Sequence, residues 1–266
     1  MRLKDKIAII VGAGQSPGEG LGHGRATVLR FAQEGAKVLA VDNNLASAEE
    51  TAALARASSG ECVAFEADVA DETTLAAMVE AARRRWGRVD VLDYNVGISI
   101  AGGDAPLDKI TEAAFDRIAA INLRGAMMAC KHVLPLMRAQ RSGVIVTISS
   151  VAAWGRYPNV AYKAVKAGLI AFTQQVAIQN AEFGVRANVI LPGLIDTPMA
   201  VDTRARASGK SRAEVAAARD ARVPLRHKMG TAWDVANAAL FLASDEANFI
   251  TGVALPVDGG ALVNIG

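Results

Sequence analysis

Two periodicities alternate along the chain. Short apolar, β-branched runs at 7–11, 37–42, 62–68, 89–94, 143–149, 186–191 and 253–257 read as strands. Between them, 25–34, 45–58, 73–86, 112–140, 161–182 and 232–243 carry apolar residues at helical spacing. The strand runs are apolar almost without a break, so both of their faces meet other protein, as in a parallel sheet covered by helices. Crossovers of this length favour right-handed βαβ units. The expected fold class is therefore α/β: a single Rossmann-type doubly wound domain over 1–266, with a parallel sheet of about seven strands and ligands at their carboxyl ends. One stretch, 199–228, has no strand pattern, is rich in alanine and charge, and follows a Pro-Gly turn. It is predicted to leave the sheet as a helical excursion, where a lid would sit.

Composition changes this picture little. With 52% hydrophobic and 21% charged residues the chain fits a soluble globular protein. The 29 basic and 27 acidic residues are interspersed, leaving a net charge of +2 and no electrostatic case for nucleic acid. Arg2, Lys4 and Lys6 precede an apolar stretch too short for a secretory leader, and no run has the roughly 18 apolar residues of a membrane helix. Cys62 and Cys130 are isolated, and His23, His132 and His227 are scattered. A reduced, cytoplasmic protein without a metal site is expected.

Candidate chemistry begins where the first strand ends. Gly12-Ala13-Gly14 opens a glycine-rich loop that runs to Gly22-His23-Gly24, directly before the first helix. Glycines there let the backbone approach a pyrophosphate, which the helix N-terminus favours electrostatically. Asp42 closes the second strand, placed to accept both hydroxyls of an adenosine ribose. Asp68-Val69 and Asn95-Val96-Gly97 follow the third and fourth strands. Each alone reads as loop punctuation. Together they are expected to line one crevice.

After the fifth strand come Ser149-Ser150 and then a helix carrying Tyr162 and Lys166, four residues apart and so on one face. A phenol titrates near pH 10, too high for an efficient base at neutrality. A neighbouring ammonium is expected to lower that value, and a hydroxyl beside it can hold a substrate oxygen.

These pieces, with Asn122 in Ile121-Asn122-Leu123, Tyr162-Lys163-Ala164-Val165-Lys166, Pro192-Gly193 and Asp258-Gly259-Gly260, resemble the classical short-chain dehydrogenase/reductase family over essentially the whole chain. The resemblance implies a secondary alcohol and a ketone interconverted with NAD(H). It implies Tyr162 as acid/base, Lys166 on the nicotinamide ribose, Ser150 on the substrate oxygen and Asn122 holding a proton-relaying water. It also implies Ile195 and Thr197 at the nicotinamide carboxamide, and a homotetramer. Candidate pocket residues are Ser99, Ala152, Trp154, Tyr157, Leu194 and Met199.

Several features depart from the family pattern. The glycine loop is long, and Gly22-His23-Gly24 is preferred over Gly20-Leu21-Gly22 as its closing pair. Glu19 in that loop is expected to face solvent. Ser150 stands one residue nearer the tyrosine than the commonest spacing, with Ser149 as the rival. Asp93-Tyr94 replaces an apolar residue and an asparagine, and a buried Asp there is costly without partners. Asp42, followed by neutral Asn43 and Asn44, favours NAD over NADP; only His23 and Arg25 could supply a compensating positive charge. The excursion's Arg204, Arg206, Arg212, Arg219 and Arg222 read as a solvated helix face rather than an acidic-substrate site. The competing functions are a catalytically silent dinucleotide-binding regulator, and an enoyl reductase or sugar-nucleotide epimerase on the same scaffold. The intact residue set disfavours the regulator, and the four-residue Tyr–Lys spacing disfavours the enoyl reductase.

Overall fold

Strands β1 (Ile7–Val11), β2 (Lys37–Asp42), β3 (Glu61–Glu66), β4 (Val91–Tyr94), β5 (Gly143–Ile148), β6 (Val185–Pro192) and β9 (Ala254–Val257) form one sheet of order β3-β2-β1-β4-β5-β6-β9, with every pairing parallel. The structure is a computed structural model that describes residues 1–58 and 60–264; positions 59, 265 and 266 of the expected 1–266 unit lie outside the described residues. Helices α1 (His23–Gln33), α2 (Leu45–Ala57), α3 (Glu72–Trp86), α4 (Glu112–Ala119), α5 (Gly125–Gln140), α6 (Ala161–Asn180) and α9 (Ala232–Ala243) provide the two outer layers. One apolar cluster sets Ile9, Leu39 and Leu92 against α3 and α5. The other sets Ala8, Ile10 and Val38 against α1 and α9. Alternate residues of the same strands thus enter opposite cores, as their unbroken apolar runs require. The strand order reverses between β1 and β4, where such sheets open a crevice.

Two expectations need correction. The predicted helix 112–140 is interrupted by a π turn over Ala120–Arg124. The cause is Asn122, whose Nδ2 donates to the Ile118 carbonyl one turn back at 2.9 Å and to the Ile98 carbonyl at 3.0 Å. Such bulges widen a helix by one residue, frequently at functional sites. The excursion holds α7 (Asp202–Ser208) and α8 (Arg212–Asp220), as predicted. It is framed, however, by a short parallel pair that the sequence does not announce, β7 (Ile195–Asp196) with β8 (Gly230–Thr231). Val201, Val215, Val223 and Met229 pack as a small separate core that fixes α7 against α8.

Candidate active site

A cleft of about 380 Å³ opens at the carboxyl ends of β1, β2, β3 and β4. Its walls include Gly12, Gly22, His23, Gly24, Asp42, Asp68, Val69, Asn95, Val96, Gly97, Thr197 and Met199. The loop closes tightly: a Cβ at position 24 would stand 1.8 Å from the Gly12 carbonyl oxygen, so only glycine fits. Gly20 and Leu21 are not among the lining residues, and α1 begins at His23 with no side-chain cap on Gly22. The uncapped start of this helix therefore lies against the cleft, which His23 and Gly24 line, and a helix N-terminus favours an anion. Gly14, Asn43 and Asn44, read from the sequence only as parts of the glycine loop and as neutral neighbours of Asp42, also line the cleft, as do Gln15 and Ser16, which were not singled out.

At the end of β2, the half-buried Asp42 accepts hydrogen bonds from the Gly14 N–H at 2.9 Å and the Asn44 N–H at 3.0 Å. Neither basic candidate can offer a charge beside it. His23 is pushed down to about 4 by burial first and Lys166 second, so it is neutral at physiological pH. Arg25 is buried, donating to Thr51 Oγ1 at 2.9 Å and to Glu50 at 2.8 Å. Glu19 is exposed, as expected. Its backbone N–H donates to Asp202, tying the long glycine loop to α7.

Past Gly97 the cleft meets the buried polar groups. A Cβ at position 97 would lie 2.9 Å from Asn122 Oδ1 and 3.0 Å from Lys166 Nζ, which places those two atoms together. Lys166 is 2% exposed; its Nζ donates to the Ile148 carbonyl at 2.7 Å and stands 5.6 Å from the Tyr162 ring centre. Burial pushes Lys166 down to about 7. Tyr162 moves the other way, contrary to the sequence expectation. Burial, then Tyr157, push it up to about 12, opposed first by the Ser150 side chain and then by Arg204. Desolvation of the phenolate outweighs what Ser150 and Arg204 return.

The two serines separate cleanly. Ser149 is buried and its Oγ donates to the Lys166 carbonyl at 2.8 Å, whereas Ser150 Oγ accepts from the Ala152 N–H at 3.1 Å and faces Tyr162. Both amide hydrogens of Asn122 are spent on backbone carbonyls, and its Oδ1 accepts from the Ile98 N–H at 3.3 Å.

One residue that the sequence reading missed supports this arrangement. Helix α6 starts at Val160 with no side-chain cap of its own. Asp104 Oδ1 accepts instead from the Ala161 N–H at 3.1 Å and the Tyr162 N–H at 3.4 Å. Its Oδ2 accepts from Ser99 Oγ at 3.0 Å, and Ser99 Oγ is 2.8 Å from the Tyr157 hydroxyl. A carboxylate at a helix N-terminus is electrostatically favoured, and this one fixes the turn that carries Tyr162.

Other expected residues fall elsewhere. Ala152 is buried, Met199 lines the cleft, and Leu194 packs on the α7–α8 core. Trp154 is 53% exposed. Pro192 ends β6 and Ile195 packs in the sheet core, so neither side chain lines the cleft. No cluster of metal-ligating side chains occurs among the described residues, and no helix there is long and apolar enough to cross a membrane.

Residues 19–261 match the family model adh_short_C2, described as Enoyl-(Acyl carrier protein) reductase. Levodione reductase of Leifsonia aquatica is 35% identical over 97% of this chain and 95% of its own. The chain belongs to the short-chain dehydrogenase/reductase family. Another relative, 2-(R)-hydroxypropyl-CoM dehydrogenase of Xanthobacter autotrophicus, is 36% identical over 96% of this chain and 97% of its own. A solved Burkholderia xenovorans chain assigned to the same family superposes with a TM-score of 0.93 at 42% identity, covering 100% of this chain and 99% of that one. The protein is an oxidoreductase of this family, built on the seven-stranded parallel sheet.

Proposed function

We propose that the chain works as one catalytic domain that interconverts a secondary alcohol and a ketone with NAD(H), Tyr162 being the acid/base. The observation that carries this reading is the meeting of Ser150, Tyr162, Lys166 and Asn122 at the inner end of a cleft that opens on the β1–β4 switch point. Relatives named as a reductase and as a hydroxypropyl-CoM dehydrogenase support alcohol–carbonyl chemistry in either direction.

The cleft fits NAD on its own features. The glycine loop admits close approach at Gly24, the uncapped start of α1 suits a pyrophosphate, and Asp42 keeps acceptor capacity for ribose hydroxyls. Asp68, Val69, Asn95, Val96, Gly97 and Thr197 would flank the rest of the molecule, with Pro192 and Ile195 contributing backbone alone. When bound, NAD supplies the two-electron acceptor for an alcohol. In that direction Tyr162 Oη takes the hydroxyl proton, and in the other it returns one to the carbonyl oxygen. Ser150 Oγ holds the substrate oxygen through that change of charge. Lys166, protonated on demand because burial has brought it near 7, supports the phenolate and the nicotinamide ribose. Asn122 holds the π turn open beside Lys166, where a water can pass the proton outward. The resemblance supports a cytoplasmic homotetramer, for which light scattering on the purified protein is the measurement.

Absorbance of NADH, followed as the protein meets NAD and a panel of secondary alcohols, tests the function. A rise with at least one alcohol is expected. Tight cofactor binding with no turnover of any alcohol or ketone would instead identify a binding-only regulator.

A further inference from the structure

Six arginines lie on the excursion, with Arg226 exposed in the loop after α8, and the solvated-face expectation for the other five holds for only part of them. Arg206 and Arg222 are exposed. Arg212 is neutralised by Asp196 at 2.6 Å and Asp202 at 3.3 Å. Arg219 is different: it is 8% exposed, and among the described residues it has no salt bridge. Its guanidinium reaches only Met229 Sδ at 3.3 Å and the Ile195 carbonyl at 3.5 Å. Arg204, half-buried, likewise has no acid partner there and donates to the Ala200 carbonyl at 2.8 Å. The small core of Val201, Val215, Val223 and Met229 holds the helices carrying these two cations together.

Their surroundings are those of the reacting centre. Arg204 is near enough to Tyr162 to favour its phenolate, and Arg219 is near enough to feel both Arg204 and Tyr157. Tyr157 in turn packs on Tyr162, with ring centres 5.7 Å apart. The nearby carboxylates are committed elsewhere. Asp196 is held by Arg212, and Asp104 has both oxygens on Ser99 and the start of α6. Neither arginine lines the cofactor cleft, to which the excursion contributes Met199. Two cations that repel one another are therefore held beside the substrate end, and among the described residues neither forms a salt bridge. Burial first, then Arg204 and Arg222, push Arg219 down to about 10, a cost that a bound anion would relieve.

We propose that Arg204 and Arg219 bind a carboxylate on the alcohol or ketone that Tyr162 acts on, so that the substrates are hydroxy acids and keto acids. This rests on the alcohol–ketone reading above and deepens it. A planar guanidinium pair matches a carboxylate through paired N–H donors, while the alcohol carbon is left facing Tyr162 and Ser150.

The test compares kcat/KM with NAD for aliphatic and cyclic secondary hydroxy acids and for their methyl esters. Wild type is expected to favour the acids by about tenfold to hundredfold, the scale of charge-assisted hydrogen bonds. Arg219→Met should erase that preference by raising KM for the acids and leaving the esters unchanged. Arg204→Gln should raise KM for the acids and also lower kcat for acids and esters alike, because it removes the charge that favours the Tyr162 phenolate. Arg219→Lys should keep part of the preference, and Arg84→Gln on α3 should keep all of it. Equal efficiency with acid and ester, or an equal loss for both in Arg219→Met, would overturn the proposal; so would a kcat loss in Arg204→Gln without a rise in KM for the acids, which would mean that Arg204 serves Tyr162 alone. If neither acid nor ester turns over, the alcohol–ketone reading is what fails. Calorimetric titration with cyclohexanecarboxylate then decides the anion site: binding weakened about tenfold by Arg219→Met supports it, and no binding overturns it.

Discussion

The two ends of the cleft use charge in opposite ways. At the adenosine end Asp42 is half-buried, and backbone N–H groups of Gly14 and Asn44 meet its oxygens. At the catalytic end Tyr162 and Lys166 are desolvated, and burial drives each towards its neutral form. The first arrangement is suited to select a partner by hydrogen-bond complementarity. The second keeps two groups poised to exchange protons, because neither charged form is comfortable before a ligand arrives. Substitution at the catalytic end should therefore cost rate, and at the adenosine end cofactor preference.

The largest effect expected is at Tyr162. Tyr162→Phe keeps the ring and the packing on Tyr157 but removes the proton carrier, and turnover should fall by at least about a hundredfold with NAD binding intact. Stopped-flow turnover beside fluorescence titration of NADH separates the two quantities. With Tyr162 at about 12, alcohol oxidation should climb steadily from pH 6 to 10 as the phenolate fraction grows, whereas ketone reduction, which needs the phenol, stays level. Wild-type-like turnover in the Phe variant would remove the contrast between the two ends.

A smaller loss separates the serines. Ser150→Ala should slow turnover by about tenfold to a hundredfold, the scale of a lost hydrogen bond to developing charge. Ser149→Ala removes only the bond to the Lys166 carbonyl and should act chiefly on stability. The reverse ranking in steady-state kinetics would place the substrate oxygen at Ser149.

Cofactor choice comes next. NADP would bring a phosphate against Asp42, with His23 neutral and Arg25 held by Glu50 and Thr51. Wild type should favour NAD by about tenfold to a hundredfold in kcat/KM, and Asp42→Ala should narrow that ratio. A preference for NADP in wild type would show that Asp42 faces away from the ribose.

What the sequence made legible was local. The β1–loop–α1 unit, Asp42 at a strand end, and Tyr162 with Lys166 on one helix face all follow from spacing and residue type. What it hid depends on contacts between distant segments. Asp104 caps α6 from 57 residues away, so no capping pattern precedes the helix. The π turn at Asn122 leaves the apolar period of 112–140 almost intact, and so reads as one helix. The arginines of the helical excursion look alike in sequence, yet burial of Arg219 and the acids around Arg212 give them different chemistry. Trp154 is apolar by type, yet about half of it stays exposed.

The smallest effect expected is on stability, and it sharpens the contrast by setting a second strand-end carboxylate against Asp42. Asp93 on β4 is 0% exposed, and its carboxyl is pushed up to about 8 by burial, opposed by a hydrogen bond from Asn95. Asn95 Nδ2 donates to Asp93 Oδ1, and the oxygens left without partners are Asp93 Oδ2 and Asn95 Oδ1. Both are acceptors unless Asp93 carries a proton, which would turn one of them into a donor. In the unfolded chain Asp93 releases that proton near pH 4. Between about 4 and 8 the folded state therefore binds the extra proton, and stability falls as pH rises through this window, by at most about 1.4 kcal/mol per pH unit. Lys166 contributes the opposite slope above about 7, but equally in wild type and variant, so it cancels in their difference. Asp93→Asn supplies a permanent amide donor to the same place and has no proton to lose. Thermal unfolding at pH 5, 6, 7 and 8 should show the variant near wild type at pH 5 and progressively more stable towards pH 8. A difference in Tm that stays flat with pH would mean that Asp93 is ionised in the folded protein, so that burial on β4 does not hold its proton.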